Sequence, residues 1–253
     1  MSISLLIIAW TAGNALVAAP AAQVRARADT LTIAFQAASG STAEGRAAVF
    51  GVQLGIEEAR QTGSMVGRPV ELVRVAGEGD NAAPRASVVI GGSGGERCAE
   101  LLAAAGTGAA LVLNLGCGAD SLRTERHAML FHVGASDSIY RRGGPGASLW
   151  LPSLERYGAA QLNERFTTRF GEPMTAPAWA GWVAVKIALE ASLRARSTDA
   201  AALAGALLAP GMRFDGHKGR ALSFRQADHQ LVQPLYSAAT GADAAGAIEE
   251  ISP

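Results

Sequence analysis

Residues 91–95 read Gly-Gly-Ser-Gly-Gly, a G-x-S-x-G pattern between an apolar run and a helical run. In serine hydrolases this pattern holds the nucleophile on a sharp strand-to-helix turn, which would make Ser93 the attacking residue. A catalytic triad also needs an acid and a histidine further along the chain, and Asp215 with His217 or His229 are the candidates. Ester hydrolysis is therefore one hypothesis for this sequence.

The surroundings of Ser93 weaken the hydrolase hypothesis. Only two predicted strands precede the pattern, whereas an α/β-hydrolase normally has more, and no oxyanion-loop motif stands upstream. The same glycines do not form a dinucleotide-binding fingerprint, because the third required position, counted from Gly92, is Arg97. The alternative is that Ser93 donates a hydrogen bond to a ligand.

A second glycine-rich stretch, LVLNLGCGAD at residues 111–120, is similar to the S-adenosylmethionine loop of a methyltransferase. Such a loop favours an acid at the strand end and a further glycine, but Asn114 and Asp120 occupy these positions. In dinucleotide-binding folds, an acid at the end of the next strand binds the ribose hydroxyls. Here the first acid comes some residues after that strand end, at Asp137. The simpler interpretation is a parallel strand that needs glycine to turn sharply.

The sequence predicts neither a metal site nor a bound cofactor. His127 and His132 are five residues apart on a predicted strand, so we expect their side chains on opposite faces. Neither an H-E-x-x-H motif nor a calcium-binding loop pattern occurs.

The elements that must position these residues alternate between short apolar runs and helical stretches. Strands separated by helices of this length indicate parallel βαβ units, and ligands bind at the carboxyl ends of such strands. The predicted strands are residues 31–37, 66–76, 87–92, 110–116 and 128–134, and the predicted later helices are residues 154–171, 176–196 and 198–209.

Composition and the first residues bear on location. Hydrophobic residues make up 49% of the 253-residue chain and the formal net charge is zero, so nothing favours nucleic acid as a partner. Residues 1–22 have the apolar core and small-residue end of a secretory signal peptide, with cleavage near Ala21, although no Lys or Arg precedes the core. A membrane anchor or a retained first helix is the alternative.

The chain has two cysteines, Cys98 and Cys117. Each follows a predicted parallel strand, so both lie at the same edge of the sheet and an exported chain could join them. The sequence does not give their Cα separation, and two unpaired thiols remain an equal alternative. Without a clustered pair of histidines they do not predict a zinc site.

Residues 31–75 resemble the first lobe of type I periplasmic solute-binding proteins of the branched-chain amino acid class. The match lies in a strand, a loop of small hydroxyl residues, a long helix ending in Glu-Glu-Ala, and the stretch Gly-Arg-x-Val-Glu-Leu. Residues 155–191 and 214–236 resemble a subgroup found with pyrroloquinoline quinone (PQQ)-dependent alcohol oxidation systems. The resemblance covers about residues 31–140 and 151–240.

The chain departs from that family in one respect. Family members have two α/β lobes with a ligand cleft between them, whereas here the fifth strand is followed by a Gly-rich junction and then by the returning helices. We therefore expect a single three-layer, Rossmann-like α/β lobe that lacks the second lobe. Its parts would be residues 29–140, the junction at 141–153, and residues 154–253, which complete the same lobe.

The resemblance implies a binding protein and not an enzyme, and the strand-end rule places its solute site. Hydroxyl groups, backbone N–H groups and helix N-termini at this edge suit a small anionic or zwitterionic ligand, either amino acid-like or, from the resemblance alone, PQQ-like. Arg46, Arg97 and Arg123 are candidate partners for an anion. The predicted site residues are Gln36, Ser39, Ser41, Thr42, Ser93, Gly94, Gly116, Cys117, Gly118 and Ser136.

The resemblance further implies a periplasmic location in a Gram-negative bacterium and import through an ABC transporter. Expected partners are the solute, the transporter's membrane subunits or a periplasmic dehydrogenase, and a homodimer. A ligandless interaction module is the remaining alternative.

Overall fold

A computed structural model describes residues 30–37, 42–75, 86–125, 127–238 and 248–251. The predicted signal peptide and the predicted site residues Ser39 and Ser41 lie outside these ranges. Among the described residues, no helix is both long and apolar enough to cross a membrane.

The centre of the fold is a five-stranded sheet in which all neighbouring strands are parallel, in the order β2-β1-β3-β4-β5. Its strands read as nearly continuous apolar runs because helices cover both faces of the sheet. The strands are β1 (Leu31–Gln36), β2 (Val70–Val75), β3 (Val88–Gly91), β4 (Leu111–Asn114) and β5 (Leu130–His132).

Several helices begin at polar residues that cap their free N–H groups. Thr42 caps the first helix and Asp199 caps the last. The helices are α1 (Ala43–Val66), α2 (Cys98–Gly106), α3 (Ser121–Thr124), α4 (Asp137–Gly143), α5 (Ala159–Phe170), α6 (Ala176–Ala195) and α7 (Ala200–Leu207).

Alternate residues of the strands supply two separate cores. Ile33 and Phe35 on one face join the larger core with α1 and α6. Ala34 and Val89 on the other face join a smaller core with Leu101 of α2. The two-residue period of a strand produces this division, and the resulting α/β layers confirm the predicted fold class.

Small residues bring α1 and α6 into close contact. A Cβ atom at Gly51 would lie 1.9 Å from the carbonyl oxygen of Ala178, and one at Gly181 would lie 2.8 Å from that of Ala48. Glycine is therefore required where the two helix backbones meet. Trp179 and Trp182 on α6 are buried in the same region.

The Gly-rich junction is anchored to the rest of the protein. Its first three residues end α4, and Ser148 forms two backbone hydrogen bonds of 2.8 Å with Tyr236. Leu149 and Trp150 lie in the main core, and the Trp150 ring stacks on Trp179 with 6.0 Å between centroids. The junction is thus a packed crossing segment.

The C-terminal part returns to the edge of the sheet, where Gln230 bridges to His132 in parallel. All parallel strands of the described residues belong to one sheet. The remaining strands are antiparallel: β6 (Phe214–Asp215), β7 (Ala221–Phe224) and β8 (Leu231–Val232) form one sheet, and β9 (Leu235–Ala238) pairs with β10 (Ile248–Ile251).

Candidate functional site

The carboxyl ends of β1 and β3 bring two polar side chains into the protein interior. Gln36 is the last residue of β1 and only 5% exposed, and its side chain lies over Gly91 at the end of β3. A Cβ atom at Gly91 would be 2.8 Å from Gln36 Oε1, so the side chain fits only over glycine. Ser93, in a short 3-10 turn after β3, is 2% exposed.

Each of these side chains carries one atom to which no described residue forms a hydrogen bond. Gln36 Oε1 and Ser93 Oγ are buried, and neither bonds to the described part of the chain. Most buried polar atoms in proteins are paired, and leaving one unpaired costs about 1–3 kcal/mol. The amide oxygen can accept a hydrogen bond from a ligand, and the hydroxyl can donate one.

Two other predicted hydroxyls already act as helix caps. Thr42 Oγ1 accepts a hydrogen bond of 3.0 Å from Gly45 N at the start of α1. Ser136 Oγ accepts one of 3.3 Å from Ile139 N at the start of α4 and lies 2.9 Å from Ser138 Oγ. The hydroxyl oxygens of Thr42 and Ser136 therefore bond to backbone N–H groups at the edge of the sheet and stabilise the helix ends.

The loop after β4 is folded by Asn114, a role that the sequence reasoning missed. Its Oδ1 accepts hydrogen bonds from Gly116 N at 3.1 Å and Cys117 N at 2.8 Å. Its Nδ2 lies 2.9 Å from both the Cys117 carbonyl oxygen and His132 Nδ1. Asparagine often binds the backbone two residues onward, and an asparagine two residues before a glycine was the available signal.

The glycines of that loop allow close approach of the protein itself. A Cβ atom at Gly116 would lie 3.0 Å from the carbonyl oxygen of Gly92, and one at Gly118 would lie 2.1 Å from Asp137 Oδ1. Gly116 and Gly118 are both predicted site residues, and these contacts also give them a structural role.

A disulfide joins Cys98 to Cys117, with 5.9 Å between their Cα atoms. The sequence left open whether these cysteines form a disulfide or remain two free thiols, and the structure shows the disulfide. Cys98 begins α2 and is partly exposed, whereas Cys117 is buried in the loop after β4. The bond ties the segment that follows Ser93 to the neighbouring strand-end loop.

Arg123 also stabilises the loop after β4. Its guanidinium donates hydrogen bonds to the carbonyl oxygens of Cys117 at 2.6 Å, Ala119 at 3.2 Å and Gly134 at 3.1 Å. Burial lowers the pKa of Arg123 to about 10, so the side chain is still a cation at neutral pH. These contacts correct the suggestion that Arg123 is free to pair with an anion at the strand ends.

The other two candidate arginines differ from Arg123 in environment. Arg97 forms an ion pair with Glu100 and donates to the carbonyl oxygen of Ala37 at 3.3 Å. Arg46 is an exposed residue of α1.

The residues proposed for a hydrolase do not assemble a triad. Ser93 Oγ has no hydrogen-bond partner among the described residues, so no general base contacts it. His217 Nδ1 lies 3.3 Å from the carbonyl oxygen of Tyr157, and His229 Nδ1 lies 3.0 Å from that of Leu130.

The prediction that His127 and His132 lie on opposite faces of one strand is wrong. β5 begins at Leu130, so His127 precedes the strand and the two-residue period does not reach it. Both rings line a single cavity beside β5. In the described ranges no three His, Cys, Asp or Glu side chains are grouped as metal ligands.

The comparisons with known proteins agree with this architecture. Residues 141–245 match the family model described as "Periplasmic binding protein". A search of curated proteins found no match.

Three solved structures illustrate the structural similarity. The branched-chain amino acid transporter substrate binding protein LivJ from Streptococcus pneumoniae, solved with isoleucine, has a TM-score of 0.67 and 14% identity over 89% of this chain and 100% of that chain. The leucine-, isoleucine-, valine-, threonine- and alanine-binding protein from Brucella ovis has a TM-score of 0.66 and 13% identity. The match covers 89% of this chain and 94% of that chain. A solute binding protein of an ABC transporter from R. palustris, solved with benzoate, has a TM-score of 0.63 and 15% identity. The match covers 88% of this chain and 96% of that chain.

The chain therefore has the type I periplasmic binding protein fold. Residues 141–245 are also similar in sequence to the periplasmic binding protein family.

Proposed function

We propose that this chain is a periplasmic solute-binding protein of an ABC-type import system. It binds a small anionic or zwitterionic solute at the carboxyl ends of the parallel strands. The observation that carries the proposal is a pair of buried polar atoms, Gln36 Oε1 and Ser93 Oγ, which have no hydrogen-bond partner among the described residues and lie at the ends of β1 and β3. A solute that hydrogen-bonds to both atoms removes the free-energy cost of burying them unpaired.

The chemistry of this pair suits a zwitterion. Gln36 Oε1 only accepts hydrogen bonds, so it favours an ammonium or hydroxyl group of the solute. Ser93 Oγ can donate to a carboxylate. The N-termini of α1 and α4 lie at the same edge, where the helix dipole also favours negative charge. An amino acid offers both groups, and a polycarboxylate such as PQQ offers the second.

The residues around the pair support a site whose shape exists before the solute arrives. The disulfide and the three carbonyl contacts of Arg123 hold the loop after β4 against the segment that contains Ser93. Such rigid support lowers the entropy that binding costs. We propose that the solute contacts mainly this one lobe, and that a transporter subunit, a periplasmic dehydrogenase or a second copy covers it.

A thermal-shift panel tests the proposal. Branched-chain and other amino acids, benzoate and PQQ are added to the purified chain, and a true solute raises the unfolding midpoint in proportion to the logarithm of its concentration over Kd. Ser93→Ala should reduce that shift strongly. Ser192→Ala is the matched control, since Ser192 is a buried serine of α6 whose Oγ donates to the Leu189 carbonyl.

Two results would count against the proposal. One is a panel in which no compound raises the midpoint, which favours a ligandless interaction module. The other is a solute whose shift is the same in Ser93→Ala as in the unaltered chain, which places the binding elsewhere.

A further inference from the structure

Glu44 places a carboxylate next to the proposed solute site. It is the second residue of α1, which begins at the same edge of the sheet, and it is exposed to solvent. A Cβ atom at Gly94 would lie 3.0 Å from Glu44 Oε2, so this carboxylate lies against the residue that follows Ser93. No other described residue forms a hydrogen bond or an ion pair with it. The carboxylate is therefore available to a ligand.

The charge of Glu44 also reaches α4 across the strand ends. The pKa of the Tyr140 phenol in α4 is raised to about 12, mainly by burial, and the carboxylates of Asp137 and Glu44 add to the increase. Salt screens such effects beyond about 10 Å, so Glu44 lies close to α4. Glu44 is thus near both the turn that holds Ser93 and the start of α4.

The cationic side chains near the strand ends are already engaged. Arg97 and Arg141 each form an ion pair with an acid. Arg123 turns its guanidinium toward loop carbonyls. Arg46 is exposed two residues beyond Glu44, and residues with this spacing do not face each other on a helix. The partner that suits Glu44 is thus a positive group on the solute.

A groove beside Glu44 has charge of the same sign. Its volume is ≈ 480 Å³, and it lies between the start of α1, the junction at Trp150 and the start of α6. Most of its wall is apolar, as at Ala47 and Pro177, and the charged side chains in its described lining are the acids Glu44 and Glu172. Apolar walls with carboxylates at the rim suit an aliphatic stem that ends in a cation.

We propose that Glu44 determines which charge the solute carries, and that the solute is a basic amino acid such as lysine or arginine. This inference rests on the proposed function. Gln36 Oε1, deep at the end of β1, accepts from the α-ammonium group, and Ser93 Oγ donates to the α-carboxylate. The Glu44 carboxylate, at the exposed rim, accepts from the ammonium or guanidinium group at the end of the solute's side chain. A solute whose only charges are carboxylates, such as PQQ, is repelled by Glu44.

Isothermal titration calorimetry of the full chain tests this inference with two matched pairs of amino acids. L-norleucine has the side-chain carbons of L-lysine without the amino group, and L-citrulline replaces the guanidinium group of L-arginine with a neutral urea. We expect the cationic member of one pair or both to bind about fivefold more tightly than its neutral analogue, which is the upper range for an ion pair in contact with solvent. Glu44→Gln should remove this preference and leave the affinity for the neutral analogue unchanged.

Glu125→Gln is the matched control. Glu125 follows α3 and precedes β5, so it lies toward the amino end of that strand, and its replacement changes the net charge by the same amount away from the site. This variant should keep the preference for the cationic amino acid. Added salt should reduce the preference in the unaltered chain, because salt screens an exposed ion pair.

Two results would overturn the inference: equal affinity for the members of each pair, or a preference that persists in Glu44→Gln. The second result is expected if Glu44 only stabilises the start of α1. Norleucine, benzoate or PQQ that binds through Ser93, while lysine and arginine show no advantage, would refute the basic amino acid and leave the proposed function standing. If no compound binds, or if Ser93→Ala leaves every affinity unchanged, both proposals fail.

Discussion

The disulfide between Cys98 and Cys117 connects the first residue of α2, the helix that follows β3, to the loop that follows β4. The contact is tight, since a Cβ atom at Gly92 would lie 2.6 Å from Cys117 Sγ. Ser93 follows Gly92 directly, so the position of its hydroxyl depends on this cross-link. Two segments that the sequence singled out for different chemistries are thus parts of one rigid unit.

Loss of the disulfide should lower both stability and solute affinity. The bond closes a loop over a sequence separation of 19, and a loop of this size contributes about 2–4 kcal/mol to the free energy of unfolding. Urea unfolding with and without reductant measures the effect. The double variant Cys98→Ser with Cys117→Ser is the control, because reductant should not change its midpoint. A reduced chain with an unchanged midpoint would contradict the prediction.

Two serines at the edge of the sheet should respond to alanine with opposite signs. Ser93→Ala removes a buried hydroxyl that has no partner in the described part of the chain, so we expect the solute-free protein to gain about 1 kcal/mol. Ser136→Ala removes the cap of α4 and should cost about 1 kcal/mol. Denaturant unfolding compares the two. Equal destabilisation by both variants would mean that Ser93 Oγ is bonded within the protein.

The contact between α1 and α6 should not tolerate an added methyl group. Gly51→Ala places a Cβ atom against the backbone of Ala178, and we expect a loss of about 1–3 kcal/mol. Gly205→Ala in α7 meets nothing within 4 Å, so this control should be neutral or gain up to about 1 kcal/mol from helix propensity. Thermal unfolding of both variants checks the difference, and a stable Gly51→Ala chain would refute the close packing.

The free energy of unfolding should fall at acidic pH because His132 is buried in its neutral form. Its pKa is lowered from 6.5 to about 3, by burial first and then by Arg123. Between these values the unfolded chain binds the proton more readily, so the free energy of unfolding falls as pH falls from 6.5 toward 3. The slope from this group is about 1.4 kcal/mol per pH unit.

The variant His132→Gln isolates that contribution. Glutamine retains an acceptor for Asn114 Nδ2 and does not titrate, so its stability should depend less on pH within this window. Urea unfolding from pH 7 to about pH 4 gives the two slopes, and His217→Gln serves as the unaffected comparison. Parallel curves for His132→Gln and the unaltered chain would show that His132 is not buried as neutral imidazole.

Local patterns in the sequence predicted much of the architecture. The apolar run of β1 and the helical pattern that follows it predicted a strand and then a helix, and the structure places both there. The prediction of a parallel sheet followed from the alternation of such units, and it is confirmed. These features depend on hydrophobic period and capping chemistry, which act over a few residues.

Relationships between distant residues came only from the tertiary structure. The sequence could not choose between a disulfide and two thiols, since the distance from Cys98 to Cys117 is set by two strands and a helix. Nor could it show that Arg123 turns toward loop carbonyls, that Gln36 and Ser93 carry unpaired atoms, or that His127 shares a cavity with His132.

Secondary structure and the pairing of polar atoms depend on different ranges of the chain. The sequence by itself determined which segments form strands and helices, because backbone preferences and burial period are local. The tertiary structure decided which polar atoms are satisfied, because a hydrogen bond depends on the position of two groups to within a few tenths of an ångström. The candidate site at the ends of β1 and β3 contains two buried polar atoms that no described residue pairs.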